Sequence, residues 1–124
     1  MTMHRILVVD DEADIRKLYH LELSDAGFEV RTAEDSARAM ELVRQWSPDL
    51  VLLDIKLGEE NGLELLRRLG ELRRSILTVL ITGYTGYKDD FTSWLADAHI
   101  TKSVDTSELK RTVSELLASH ADVG

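Results

Sequence analysis

The stretch ILVVDDEADIRKLY, residues 6–19, runs four apolar residues straight into three carboxylates. An apolar run this short and this rich in β-branched residues suits a strand buried on both faces. Clustered carboxylates at its end repel one another and are costly to keep ionised in low dielectric. Asp10, Asp11 and Glu12 therefore either face water or surround a positive charge.

Outward from this stretch the segments alternate. DEADIRKLYHLELSDAG reads as an amphipathic helix with Ile15, Leu18 and Leu21 inward, stopped by Gly27. FEVRTA reads as a short strand near the sheet edge. EDSARAMELVRQW reads as a helix with Ala37, Met40, Leu42 and Val43 inward, closed by Ser47-Pro48. DLVLLDI is a second strand buried on both faces, and the loop KLGEEN leads into the helix GLELLRRLGEL. SILTVLIT is a strand, GYTGYKDDFTSWLAD a loop and helix, HITK a last short strand, and VDTSELKRTVSELLASH a final helix. Five βα units in succession predict an α/β fold, a doubly wound parallel sheet with helices on both faces. The basic residues Arg67, Arg68, Arg73 and Arg74 alternate with Glu64 and Glu71 and read as a solvated helix face.

At 124 residues the chain is expected to form one domain, 1–124, with no linker, repeat or further output domain. It has no cysteine, which excludes a disulfide framework and a thiolate metal site. No apolar run is long enough to span a bilayer, and MTMHRILVV lacks the cleavage pattern of a secretion signal, so a cytoplasmic protein is expected. A net charge of −8 and a pI near 4.9 argue against direct nucleic-acid binding.

Ligands of an open parallel sheet bind beyond the carboxyl ends of its strands, where the strand order reverses. The sequence puts Asp10, Asp11 and Glu12 after the first strand, Asp54 after the third, Thr82 after the fourth and Lys102 after the fifth. Carboxylates after the first strand exclude a dinucleotide fold, which needs glycines there, and would repel a flavin phosphate. GYTGYKDD has the wrong spacing for a P-loop, and Lys56 stands where a haloacid-dehalogenase phosphatase needs its second Asp. A divalent cation such as Mg²⁺ does suit hard oxygen ligands of this kind. Asp54 beside it could then act as nucleophile towards a phosphoryl group, with a lysine and a threonine meeting the phosphoryl oxygens.

Together VVDDE, LVLLDI with NGLELL, VLITG and ITKS, in this order and spacing, resemble the receiver domain of two-component response regulators across nearly the whole chain. The resemblance implies a flavodoxin-like (βα)5 fold with strand order 2-1-3-4-5. It implies that Asp54 is phosphorylated. It also implies Mg²⁺ on Asp11 directly, on Asp10 through water, on Asp54 and on the backbone carbonyl of Lys56. Lys102 pairs with the acidic cluster and then the phosphoryl oxygens, while Thr82 and His99 act as the switch pair. The implied function is a regulatory phosphoacceptor, not an enzyme with separate turnover. Its phosphoryl donor is a histidine kinase or histidine phosphotransfer protein. Its target is a downstream effector or an output domain on a longer chain, and the face of fourth helix, fifth strand and fifth helix is a candidate homodimer surface.

Four positions depart from the common pattern. Ser103 follows the lysine where Pro is usual; a cis non-proline bond costs roughly 3 kcal/mol, so a trans bond is expected. His99 replaces Tyr or Phe, Gly58 replaces a frequent Pro, and Gly83 replaces Ala with Gly86 close behind. Lys56 and Tyr84, each two residues past Asp54 and Thr82, fall beside the path of an attacking water in the family and imply slow dephosphorylation. Taken singly the residues have plainer uses: Asp10 or Asp11 as a helix cap, Lys102 at the surface, Thr82 as a structural residue, His99 packed in a strand, Phe91, Trp94 and Leu95 in the core. His4, His20 and His120 have no company that suggests a metal. The rival functions are a receiver-like binding module that works without phosphorylation and a metal-assisted phosphatase.

Overall fold

A computed structural model describes residues 3–72, 75–83, 96–103 and 105–123. The elements run β1 (Arg5–Val9), α1 (Ala13–Asp25), β2 (Glu29–Ala33), α2 (Ser36–Trp46), β3 (Leu50–Asp54), β4 (Lys56–Leu57), β5 (Glu60–Asn61), α3 (Gly62–Leu72), β6 (Leu77–Thr82), β7 (Ala98–Thr101) and α4 (Ser107–Val123). Five strands form one sheet in the order β2-β1-β3-β6-β7, every neighbouring pair parallel. Counted along that sheet the order is 2-1-3-4-5, the expected doubly wound arrangement. The chain leaves β1 to one side for β2 and returns on its other side for β3. The order therefore reverses at β1 and β3, whose carboxyl ends carry Asp10 and Asp54.

Period-two alternation divides the core between the two faces of the sheet. Leu7, Val9, Val51, Leu53 and Leu80 pack with the buried side chains of α2 and α3. Ile6, Val8, Leu50, Leu52 and Val79 pack with Tyr19 and Leu23 of α1 and Leu109, Val113 and Leu117 of α4. Each βα unit closes one half of this double layer, which is why β1 and β3 are apolar at every position between their ends.

Two inward positions are corrected. On α1 the buried face is Tyr19 and Leu23, with Ile15 and Leu18 packed beside them, while Leu21 is 59% exposed. At 100° per residue Leu21 falls well off the line through residues 15, 19 and 23. On α2 the face is Ala39, Met40, Leu42, Val43 and Trp46, and Ala37, roughly opposite Ala39, is exposed. Gly27 ends α1 as expected, with φ +99° and Phe28 N–H donating back to Leu23 O. The segment KLGEEN is not a plain loop: Lys56 pairs with Asn61 and Leu57 with Glu60 across a two-residue turn. Gly58, at φ +59°, supplies the turn, and the buried Leu57 pins it to the core. The expected helix with Phe91, Trp94 and Leu95 lies outside the described residues, as do Arg73, Arg74, Tyr84, Gly86 and the side chain of His120.

Ser47 terminates α2 in the left-handed region, with φ 54° and its N–H on Val43 O. A side chain there is strained, and glycine is not. Ser47→Gly is expected to raise the free energy of unfolding by about 0.5–1 kcal/mol in urea titration. An unchanged or lower midpoint would show that the serine relieves its own strain.

Candidate functional site

The sheet ladders carry the polar residues to one place. Asp10 N–H extends the β1–β2 ladder onto Ala33 O, and Ile55 N–H extends β3 onto Ile81 O. Lys102 N–H extends β7 onto Thr82 O, so Thr82 and Lys102 end neighbouring strands side by side. Asp11, Glu12, Asp54, Lys56, Thr82 and Lys102 line an open cleft of about 290 Å³ at this edge.

Within the cleft Lys102 Nζ stands 2.6 Å from Glu12 Oε1, 2.8 Å from Asp54 Oδ2 and 3.1 Å from Asp10 Oδ2. The two shorter contacts are hydrogen bonds. The third lacks hydrogen-bond geometry and leaves a fully buried carboxylate oxygen without a donor among the described residues. The remaining oxygens are held by backbone. Asp10 Oδ1 accepts from Glu12 N–H, Asp54 Oδ1 from Lys56 N–H, and Asp11 Oδ2 from Gly58 N–H. Neither Asp10 nor Asp11 caps α1; the N-cap is Glu12, whose side chain makes no cap bond. The acidic run thus serves the cleft rather than the helix.

Burial pushes the Asp10 carboxyl up to about 6; the Glu12 N–H and Lys102 oppose the rise, and the Asp54 charge adds to it. Burial acts to lower the Lys102 pKa, but its hydrogen bonds to Asp54 and Glu12 outweigh that, and the ammonium is held above its ordinary value. Asp10, Asp11, Glu12 and Asp54 each offer an oxygen within 4.8 Å of the others. One lysine cannot neutralise four carboxylates, and an all-oxygen donor set with an orphaned buried oxygen fits a hard divalent cation.

Glu12, one of the three carboxylates expected at this edge, is a direct partner of Lys102 across ninety residues. One contributor was not singled out from the sequence. Arg16 Nη1 donates to the backbone carbonyl of Asp10 at 2.8 Å, bracing the turn out of β1. Ser103 Oγ accepts from Asp105 N–H, and no cis peptide occurs among the described residues, so the expected trans bond before Ser103 is found. His99 is not packed as expected: it is exposed on β7, the edge strand of the sheet, with the buried Ile100 beside it on the opposite face. The Arg67 pairs with Glu64 and Glu71 lie on the solvated face of α3.

Gly62 opens α3 directly against the strand that carries Asp54, its N–H donating to Ile55 O at 2.6 Å. A Cβ there would collide with the backbone oxygen of Asp54 and stand 2.8 Å from that of Ile55. Only glycine lets the helix start this close.

A sequence profile of the response regulator receiver domain matches residues 6–114. Sporulation initiation phosphotransferase F of Bacillus subtilis is 31% identical over 120 residues, 94% of this chain and 96% of that protein. Virulence transcriptional regulatory protein PhoP of Salmonella typhimurium is 32% identical over 117 residues, 93% of this chain and 52% of that protein, so this chain spans about half the length of that relative. The response regulator TrrA of Thermotoga maritima in complex with Mg²⁺-BeF superposes with a TM-score of 0.87 at 39% identity, covering 92% of this chain and 99% of that one. TrrA in complex with the histidine kinase ThkA gives 0.85 at 40% identity, covering 93% and 99%.

Two outcomes follow from the geometry. Because the folded chain holds the Asp10 proton more tightly than the unfolded chain does, the stability this group contributes is present below about pH 4 and lost as pH rises through about 6. With chelator present, Asp10→Asn is expected to stabilise the fold at pH 7 by on the order of 2 kcal/mol and to erase that decline. Melting curves of both proteins from pH 4 to 8 check it, and parallel curves would refute it. Gly62→Ala is expected to cost about 1–3 kcal/mol, measured by urea unfolding, because either α3 or the Asp54 backbone must shift.

Proposed function

This chain belongs to the response regulator receiver domain family, and on that premise we propose that it is a phosphoacceptor switch that takes a phosphoryl group onto Asp54. The observation that carries the reading is the Asp54 carboxylate itself. It closes a buried strand, it is 5% exposed, and it opens onto a cleft where an ammonium and three further carboxylates converge. The donor in this reading is the phosphohistidine of a histidine kinase or phosphotransfer protein. An Asp54 carboxylate oxygen forms the new O–P bond as the P–N bond to the donor imidazole breaks, and the imidazole nitrogen leaves with the electron pair.

Each residue has a task in that step. Lys56 N–H, on Asp54 Oδ1, orients the carboxylate. Lys102, already on Asp54 Oδ2, offsets charge on the transferred oxygens, and Thr82, at the end of β6, supplies a hydroxyl to one of them. Asp11, Asp54 and the Lys56 carbonyl, with Asp10 through water, would hold Mg²⁺, which would neutralise the acidic pocket and the phosphoryl oxygens. The acyl phosphate carries about −1.5 to −2 charges in place of the carboxylate's single one, and presents three phosphoryl oxygens as acceptors. Drawing Lys102 and Thr82 towards it biases the segment after Gly83 and the β7–α4 face, with His99 on β7 following Thr82. That face meets an effector, an output domain or a second copy. The reading is of a regulatory protein that works in the cytoplasm.

Intact mass after incubation with Mg²⁺ and a small acyl-phosphate donor tests this. One added phosphoryl group is expected, absent without Mg²⁺ and absent in Asp54→Asn. If a phosphorylated kinase or phosphotransfer partner also fails to label Asp54, the chain is a binding module that works without phosphorylation. In this reading Lys56, which lines the cleft beside Asp54, hinders an attacking water, so the labelled species is expected to outlast seconds after donor removal, and Lys56→Ala is expected to shorten its life.

A further inference from the structure

The mouth of the cleft holds one contact that the phosphoacceptor reading does not use. Glu12 sits at the N-cap of α1, next to the unsatisfied N–H groups of the first helical turn, yet makes no cap bond. Its carboxylate turns instead across the cleft to Lys102, at 2.6 Å the shortest of the three contacts to that ammonium. The backbone aims it there: Glu12 N–H is fixed on Asp10 Oδ1, and Arg16 grips the Asp10 carbonyl. Glu12 is also the most exposed of the lysine's partners, its side chain 60% exposed against 7% for Asp54 and 2% for Asp10. It is the partner that can let go without a buried charge being stranded.

We propose that Glu12 is a positioning residue that holds Lys102 at the mouth of the cleft in the unmodified chain and must release it before the ammonium can turn fully to a tetrahedral anion on Asp54. The inference rests on the phosphoacceptor reading for its consequence, but the hold itself is a property of the unmodified chain. Lys102 has three N–H donors, and Glu12 and Asp54 occupy two of them. An anion on Asp54 presents several new acceptors, and Glu12 then competes with them for the same group. The Glu12–Lys102 pair therefore favours the empty state, and removing it favours the occupied one by the strength of the pair. A partly exposed ion pair corresponds to about a two- to fivefold change in an equilibrium constant.

Two measurements separate the hold from its consequence. Reductive methylation of the folded, metal-free chain, read by peptide mass, reports how tightly each lysine is held. Lys102 is expected to react about two- to fivefold faster in Glu12→Gln than in the parent, with Lys17 as an unchanged internal reference. Equal Lys102 rates in the two proteins would overturn the hold. Calorimetric titration with beryllofluoride and Mg²⁺ then reports the occupied state. Glu12→Gln is expected to bind about two- to fivefold more tightly than the parent, and the gain is expected to vanish in a Lys102→Met background. The same gain in both backgrounds would mean that Glu12 acts only as a nearby negative charge, and the positioning role would be wrong. No beryllofluoride binding by the parent would count against the phosphoacceptor reading, while the methylation result still decides whether Glu12 holds Lys102.

Discussion

A single ammonium, Lys102 Nζ, stands within 3.1 Å of carboxylates from the end of β1, the start of α1 and the end of β3. Those carboxylates repel one another, and two of them are almost completely buried. Without a cation between them the strand ends would splay or the acids would take up protons. The lysine is delivered from the far side of the sheet, after β7, by a ladder that runs through β6. Closing the cleft and completing the sheet are therefore the same event.

The compensation is incomplete, and the incompleteness bears on function. Asp10 keeps a buried oxygen with no hydrogen bond among the described residues, and its carboxyl is raised to about 6. A protein selected for stability alone would place an apolar residue there, since buried ion pairs seldom improve on well-packed hydrocarbon. The surplus of negative charge suits the site to a hard divalent cation. A cation there would relieve the mutual repulsion of these carboxylates.

Backbone supports this arrangement on both sides. Gly62 starts α3 against the Asp54 carbonyl, and the β4–β5 turn gives its Gly58 N–H to Asp11. Glu60, in the same hairpin, accepts from the Ser36 N–H and hydroxyl at the start of α2. The segment between β3 and α3 is thus tied at the cleft and at a neighbouring helix. The hairpin is thereby part of the cleft wall.

Much of this was legible in the chain as written. The apolar runs of β1 and β3 carry full burial in their composition, and Gly27 and Ser47-Pro48 mark their helix ends by backbone preference. Asp10, Asp11, Asp54, Thr82 and Lys102 could be assigned to one edge because a parallel sheet puts all its carboxyl ends together. Those are properties of single residues and short periods, and a sequence holds them locally. It could not show that Leu21 and Ala37 face outward, since the phase of a helix is set by which neighbour it packs against. Nor could it show that KLGEEN folds into a hairpin, that Arg16 braces Asp10, or that Glu12, of the whole acidic cluster, stands closest to Lys102. Such contacts exist only once strands from distant parts of the chain lie side by side. The kinds of group at the site were decided by sequence, and their partners by tertiary structure, because charge pairing depends on distance in space and not on distance along the chain.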